Sequence, residues 1–399
     1  MPSSSNFFKQ YRDAILGAVG DSSIQTALQR AVEAYQKQVN AVLEKYPHTR
    51  ELAKEVENIK EQSLLQLNML VEQAMSQIEH HKGKAYYAKD ITETLRIADQ
   101  IVGTGKIIVK GKSILGEELG IREHLIEKGN EVWETDLGEF IIQLLNERPM
   151  HIVAPSIHVP RERVAEILTE FLGKEVPPDP YQEVQAVKEF LKEKYFRADV
   201  GISGANVISA DTGTLFIIEN EGNVRLSTGA PPIHIAIVGI EKVVPTLQEA
   251  FKVAEVTWRY AGYEMPSYLN LICGPSATGD IEKVTVYGAH GPAELHVIFV
   301  DNGRSAMADS VVFREGLKCL RCGGCMYECP VFQLAAGHFG HLYIGGIGAP
   351  WTLFTTGELE KAVSLAYTCL RCGRCVERCP MKIDVPAMII ELRKMFANR

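Results

Sequence analysis

The chain has 399 residues, enough for two or three domains with their own cores, and its 46% apolar and 23% charged content is ordinary for a globular protein. A formal charge of −8 argues against a general nucleic-acid binder, which would present a basic face. No run approaches the roughly 18 apolar residues of a membrane span. Met1–Asn6 lacks the basic start and apolar core of a secretory signal, so a cytoplasmic protein is expected.

Residues 20–100 read as helical. Ile24, Leu28, Val32 and Tyr35 recur at helical spacing, as do Leu64, Leu67, Leu70, Val71, Ala74 and Ile78, with a break at Pro47. The pattern predicts an antiparallel helical pair packed on the next domain, or alternatively a docking arm. From residue 101 the texture changes. Lys106–Val109, Glu131–Trp133 and His151–Val153 read as strands, separated by helices at Leu115–Lys128, Leu137–Asn146 and Arg161–Leu172. After the prolines at 177, 178 and 180, Tyr181–Tyr195 reads as helix. Strands follow at Val207–Ser209, Thr214–Glu219 and Ile233–Ile240, then a helix at Leu247–Tyr260 and strands at Lys283–Tyr287 and Leu295–Val300. This alternation predicts an α/β unit over residues 101–300 with a mostly parallel sheet, between an N-terminal helical region (1–100) and a cysteine-rich tail (301–399).

Nine cysteines are present; Cys273 stands alone and the other eight lie between Cys319 and Cys379. They form two copies of C-x2-C-x2-C-x3-C-P: Cys319, Cys322, Cys325 and Cys329, then Cys369, Cys372, Cys375 and Cys379. Three thiolates from one tight loop cap three irons of a cubane, and the fourth, on the departing helix, reaches the other cluster. Cluster 1 is therefore assigned to Cys319, Cys322, Cys325 and Cys379, and cluster 2 to Cys369, Cys372, Cys375 and Cys329. Zinc, which favours two C-x2-C pairs per ion, fits this spacing poorly. Between Lys318 and Lys382 seven Lys/Arg face four Asp/Glu, an excess that partly offsets cluster charge. The separation of the copies, with a helix expected at Glu358–Tyr367, resembles the helical two-cluster ferredoxin domains of succinate dehydrogenase and heterodisulfide reductase subunits.

The segments VKGKSILGEELGI (109–121), ETDLGEFIIQL (134–144), HIVAPSIH (151–158) and ADVGISGANVISADTGTLFIIENEGNVRLSTGAPPIHIAIVGIEKVVPT (198–246) resemble the lactate-utilisation (LUD) family. GPSATGDIE (274–282), GAHGPAELHVIFVDNGR (288–304) and the cysteine motifs extend the likeness. The resemblance implies an isomerase/CoA-transferase-like α/β domain and a two-[4Fe–4S] subunit of a three-part complex oxidising L-lactate to pyruvate. Its implied partners are a CCG-type cysteine-rich subunit and a second LUD protein. Longer members continue past the second motif, whereas this sequence stops at Arg399.

Polar loops mark candidate ligand sites. One holds Thr212, Gly213, Glu221 and Arg225, with Arg225 suited to fork onto a carboxylate or phosphate. Another holds Ser276 and Thr278, with His290 as a candidate proton carrier. Lys110, Lys112 and Ser113 follow a strand and are further anion candidates, though such lysines usually face solvent. Cys273 is expected to be a small buried apolar residue. No G-x-G-x-x-G motif occurs, so nothing points to NAD or FAD. The expected role is electron transfer in a non-autonomous oxidoreductase subunit. The alternative is a relay or docking subunit of a heterodisulfide-reductase-like or flavin-based complex.

Overall fold

The computed structural model describes residues 4–398, the side chains of residues 4–6 and 23 excepted; residues 1–3 of the Met1–Asn6 stretch lie outside the described residues. Four helices open the chain: α1 (Ser4–Gly20), α2 (Ser22–Lys45), α3 (Thr49–Leu65) and α4 (Leu67–His80). Then come β1 (Lys84–Ala88), α5 (Ile91–Val102), β2 (Ile107–Lys110), α6 (Ile114–Leu119), α7 (Ile121–Glu127), β3 (Glu131–Glu134), α8 (Leu137–Leu145), α9 (Arg161–Leu172) and α10 (Pro180–Arg197). Next are β4 (Val200–Ser203), β5 (Val207–Ser209), β6 (Leu215–Glu219), α11 (Asn223–Gly229), β7 (Ile233–Gly239), β8 (Val243–Val244) and α12 (Leu247–Tyr260). Strands β9 (Tyr268–Ile272), β10 (Ala277–Thr278), β11 (Val286–Tyr287) and β12 (Glu294–Val300) close the α/β part. The tail is helical: α13 (Arg304–Asp309), α14 (Gly324–Tyr327), α15 (Pro330–Ala335), α16 (Gly348–Thr356), α17 (Leu359–Thr368), α18 (Arg374–Arg378) and α19 (Val385–Ala397).

Six strands form one parallel sheet in the order β1-β12-β7-β4-β2-β3. Its inner strands are buried on both faces, as parallel strands between helical layers must be. Ile235 and Ile237 join a core under α5–α7, while the alternate residues Ala236 and Val238 join the core of the other face. A third core, around Phe140, gathers α8, α9 and α10. A smaller sheet, β8-β5-β6-β9, packs against α3, α4 and α12. Side-chain caps set several helix starts: Asp90, Asp136, Asp179 and the Thr246–Glu249 capping box each accept a backbone N–H, worth about 1 kcal/mol apiece.

Several expectations change. Lys84–Ala88, inside the stretch read as helical, is an edge strand paired to β12. His151–Val153 is no strand: the His151 ring Nδ1 accepts the N–H groups of Val153 and Ala154, closing a turn that competes with ladder pairing. The sheet instead takes Val200–Ser203, too short to stand out in sequence. Strand β9 also escaped the reading. The Leu115–Lys128 segment splits at Gly120, whose left-handed φ of 60° turns α6 into α7. The N-terminal helices do not form a simple antiparallel pair; α1 and α2 pack mainly on the cysteine-rich tail, α3 and α4 on the α/β part. Tyr11 Oη donates to Thr368 Oγ1 (3.0 Å), Tyr35 stacks on Tyr327 (4.4 Å between centroids), and Lys318 pairs with Glu57 (3.2 Å).

One buried ionic knot joins the parts. Arg304 donates to both oxygens of Glu118 (3.0 and 2.8 Å), to Glu241 (2.8 Å) and to Tyr343 Oη (3.2 Å). Burial opposes ionisation of Glu241, but Arg304, then Lys242, Arg321 and Lys60, outweigh it and hold its carboxyl at about 2. Gly239 makes room for the knot, since a Cβ there would stand 2.1 Å from Glu241 Oε2. Arg304→Met strands two buried carboxylates and is expected to cost about 3–5 kcal/mol, read as a lower denaturant midpoint by tryptophan fluorescence. An unchanged midpoint would contradict the role given to the knot.

Candidate iron–sulfur and ligand sites

The two cysteine loops adopt the same conformation. Arg321 and Arg371 lie in the left-handed region (φ 63° and 57°), as do Gly323 and Gly373 (both 80°), and each loop runs into a short helix, α14 or α18. Two adjoining cavities result. One is lined by Cys319, Cys322, Cys325 and Cys379, the other by Cys329, Cys369, Cys372 and Cys375, with Cys325 and Cys375 reaching both. The fourth cysteine of each motif thus faces the cavity of the other. Among the described residues no three His, Cys, Asp or Glu side chains are grouped to hold a single metal ion. The cysteines ring a space, which is what a cubane needs.

The surroundings suit thiolate ligation. The amide of Arg371 donates to Cys369 Sγ (3.4 Å). Burial first, then neighbouring sulfurs, pushes the free thiol of Cys375 to about 12; in Cys322 and Cys379, at about 12 and 11, nearby backbone amides partly oppose the burial. Metal binding therefore displaces protons. A Cβ on Gly346 would sit 3.4 Å from Cys369 Sγ and 3.1 Å from Val385, so the second cavity fits closely around its contents.

The cavities differ in exposure. The first loop is covered: a Cβ on Gly323 would stand 2.9 Å from the His151 ring, and one on Gly324 would stand 2.3 Å from Tyr35 Oη. The second is open, with nothing near Gly373, Cys372 exposed and Leu370 65% exposed.

A third cavity, of about 330 Å³, lies at the C-terminal ends of the parallel strands. Strand order reverses between β2 and β4, and ligands of open α/β sheets bind at such a switch point. Lys112 and Ser113 follow β2, Gly204 follows β4, Lys242 follows β7, and Arg304 follows β12. Arg321 and Cys322 of the first cysteine loop complete the wall, so this cavity abuts the first cluster site.

The sequence candidates are dispersed. Glu221 lines the switch-point cavity; burial and then Asp136 raise its carboxyl to about 7. Arg225, Ser276 and His290 line a separate open groove of about 820 Å³ near the N-terminal strand ends, where Arg225 lies over Tyr268 (5.1 Å). Cys273 lines that groove and is exposed, against the expectation of burial. Thr212 bonds Ser209 and Thr214, and Gly213 is pressed against Ile78, so both serve a turn on α4. Thr278 bonds its neighbour Asp280. Lys110 is wholly buried and ion-paired with Glu134 (2.8 Å) and Glu117 (3.3 Å), so its charge is met within the protein and it does not face solvent. Lys242, Arg321 and Trp258 of the switch-point cavity went unread. Arg321 repeats as Arg371 in the second motif, and only the fold distinguishes them.

Residues 71–300 match the LUD domain and residues 315–383 the 4Fe-4S dicluster domain. Proteins called lactate utilization protein B from Bacillus thuringiensis (strain Al Hakam), Bacillus cereus (strain AH187) and Bacillus anthracis (strain A0248) are each 33% identical over 398 residues, covering 98% of this chain and 81% of theirs. Among solved structures, a DUF162 family protein from Deinococcus radiodurans is similar at 14% identity and a TM-score of 0.33, over 59% of this chain and 98% of its own. Among the described residues no helix is long and apolar enough to cross a membrane. With a LUD domain over more than half its length, followed by clustered cysteines within a 4Fe-4S dicluster domain, the chain is an iron–sulfur protein and belongs to the LUD-domain family.

Proposed function

We propose that this chain is the electron-transfer subunit of a cytoplasmic complex that oxidises L-lactate to pyruvate, carrying two [4Fe–4S] clusters and working with a CCG-type cysteine-rich subunit and a second LUD protein. In this reading residues 101–300 form the LUD platform, 301–399 carry the clusters, and 1–100 brace the two. Cluster 1 is held by Cys319, Cys322, Cys325 and Cys379, and cluster 2 by Cys369, Cys372, Cys375 and Cys329.

The observation that carries the reading is the sequence of three adjoining spaces: the switch-point cavity, the covered cysteine cavity beside it, and the open cysteine cavity at the surface. Clusters held by these cysteines would supply one-electron steps, and two together would suit the electron pair released, with two protons, when a 2-hydroxy acid becomes a 2-oxo acid. The residues serve this traffic differently. His151 and Tyr35 shield the first loop from water, whereas the loop of Leu370 and Cys372 leaves the second accessible to a redox partner. Support for lactate comes from the relatives' name.

Anaerobically purified protein is expected to contain about eight irons per chain, two cubanes of four. Stoichiometric zinc with negligible iron would reject the cluster reading. Cys329→Ser is expected to damage the cluster held by Cys369, Cys372 and Cys375, and Cys379→Ser the other. Spectra in which each motif keeps all four of its own cysteines would reject the crossed ligation. The native complex should reduce an added acceptor with L-lactate; activity only with a flavoprotein or hydrogenase partner would favour the relay alternative.

A further inference from the structure

The switch-point cavity contains cations that the protein itself does not satisfy. Lys242 and Arg321 line it, and neither makes a hydrogen bond or ion pair with any described residue. Arg321 rests on the faces of Trp351 and Tyr343 (4.1 and 4.6 Å), which fixes its plane and leaves its N–H fork uncommitted. Trp258, 6% exposed, lines the same cavity, and its buried indole N–H has no partner.

The acidic residues of the wall do not answer these donors, because each is engaged. Glu241 is held by Arg304 (2.8 Å). Glu219 accepts from the amides of Val224 and Arg225 (both 2.9 Å) and from Asn270 (2.6 Å). Asp136 caps α8 through the amide of Glu139 (3.0 Å), and Glu221 accepts from the amide of Leu137 (3.3 Å). A buried donor without an acceptor costs about 1–3 kcal/mol, more when charged. The Trp258 N–H is such a donor, and with the half-buried Lys242 and Arg321 lining the same cavity it describes a receptor for acceptor oxygens.

Cluster charge alone does not account for the set, since a neutral indole N–H contributes little to it. The size of the cavity narrows the ligand. About 330 Å³ is at the small end of ligand pockets and leaves no room for a dinucleotide. A planar guanidinium with an ammonium beside it matches a carboxylate, and a neighbouring N–H matches a second oxygen close by.

We propose that this cavity binds a small carboxylate of the 2-hydroxy- or 2-oxo-acid class, held by Lys242, Arg321 and Trp258 beside Cys322. The chain then carries a substrate or product site itself, in addition to relaying electrons. The redox meaning of this site rests on the function proposed above; the binding does not.

The test is calorimetric titration of the iron-loaded chain with pyruvate, L-lactate and inorganic phosphate, compared with Lys242→Met and Trp258→Phe. Pyruvate or lactate should bind saturably. Lys242→Met should weaken binding on the order of tenfold or more, and Trp258→Phe, which keeps the ring, by roughly two- to tenfold. Pyruvate should also alter the paramagnetic spectrum of the reduced wild-type clusters. Absence of saturable binding to wild type, affinity unchanged in both variants, or phosphate binding as tightly as pyruvate would each overturn the proposal. A shift of cluster potential in Lys242→Met without carboxylate binding would also overturn it, leaving the cations to serve the cluster alone. In all these cases normal iron content leaves the electron-transfer reading standing, whereas loss of iron from wild type would strike that reading instead.

Discussion

The guanidinium of Arg304 sits where the sheet ends and the cysteine-rich tail begins, with both oxygens of Glu118 on one side and Glu241 on the other. Burying three charges is costly, and such a group is tolerated only when its hydrogen bonds are complete. Here Asn302 and Tyr343 add donors to Glu118, and the Asp301 carbonyl accepts from Arg304. The consequence is geometric. Glu118 belongs to α6, Glu241 follows β7, and Tyr343 belongs to the segment between the cysteine motifs, so the knot fixes the first cysteine loop against the strand ends. Arg304, Glu241 and Tyr343 of the knot also line the switch-point cavity.

The same region explains why the two cysteine loops, alike in backbone, have unlike surroundings. Around the first lie Arg321, Lys242 and Lys60, the two lysines pushed down by burial to about 8 and about 7, while Arg304 already holds the Glu241 carboxylate. Around the second, Arg371 reaches solvent and Cys372 is exposed. Cations screened from water stabilise added negative charge more than exposed ones do. In the proposed function, electrons would accordingly be held more tightly at the inner site and exchanged at the outer one.

Much of this was legible in the sequence, for reasons that differ by element. The cysteine spacing suits the geometry of a cluster, so eight candidate positions could be named without a structure, and the fold gathers them around two adjoining cavities. Strands such as Ile233–Gly239, apolar but for His234, read clearly. Lys84–Ala88 does not: its partly polar, half-exposed pattern follows a long helical stretch, and only pairing with β12 makes it a strand. His151–Val153 has strand-like composition, but a side chain takes the backbone N–H groups that a ladder would use. The ligand candidates are dispersed for a related reason. Gly, Thr and Asp suit turns and sites alike, and Thr212 proved to serve a turn. Lys242 and Arg321 lie 79 residues apart, and no local pattern joins them.

The central proposal is two adjoining clusters, one covered and one open, whose proximity would be directly measurable. In a potentiometric titration of the intact chain followed by electron paramagnetic resonance, the account predicts two one-electron steps. The fully reduced spectrum should be broadened by spin coupling between neighbouring clusters, and the covered site should reduce at the higher potential. A single reducible cluster, or two magnetically independent ones, would contradict it.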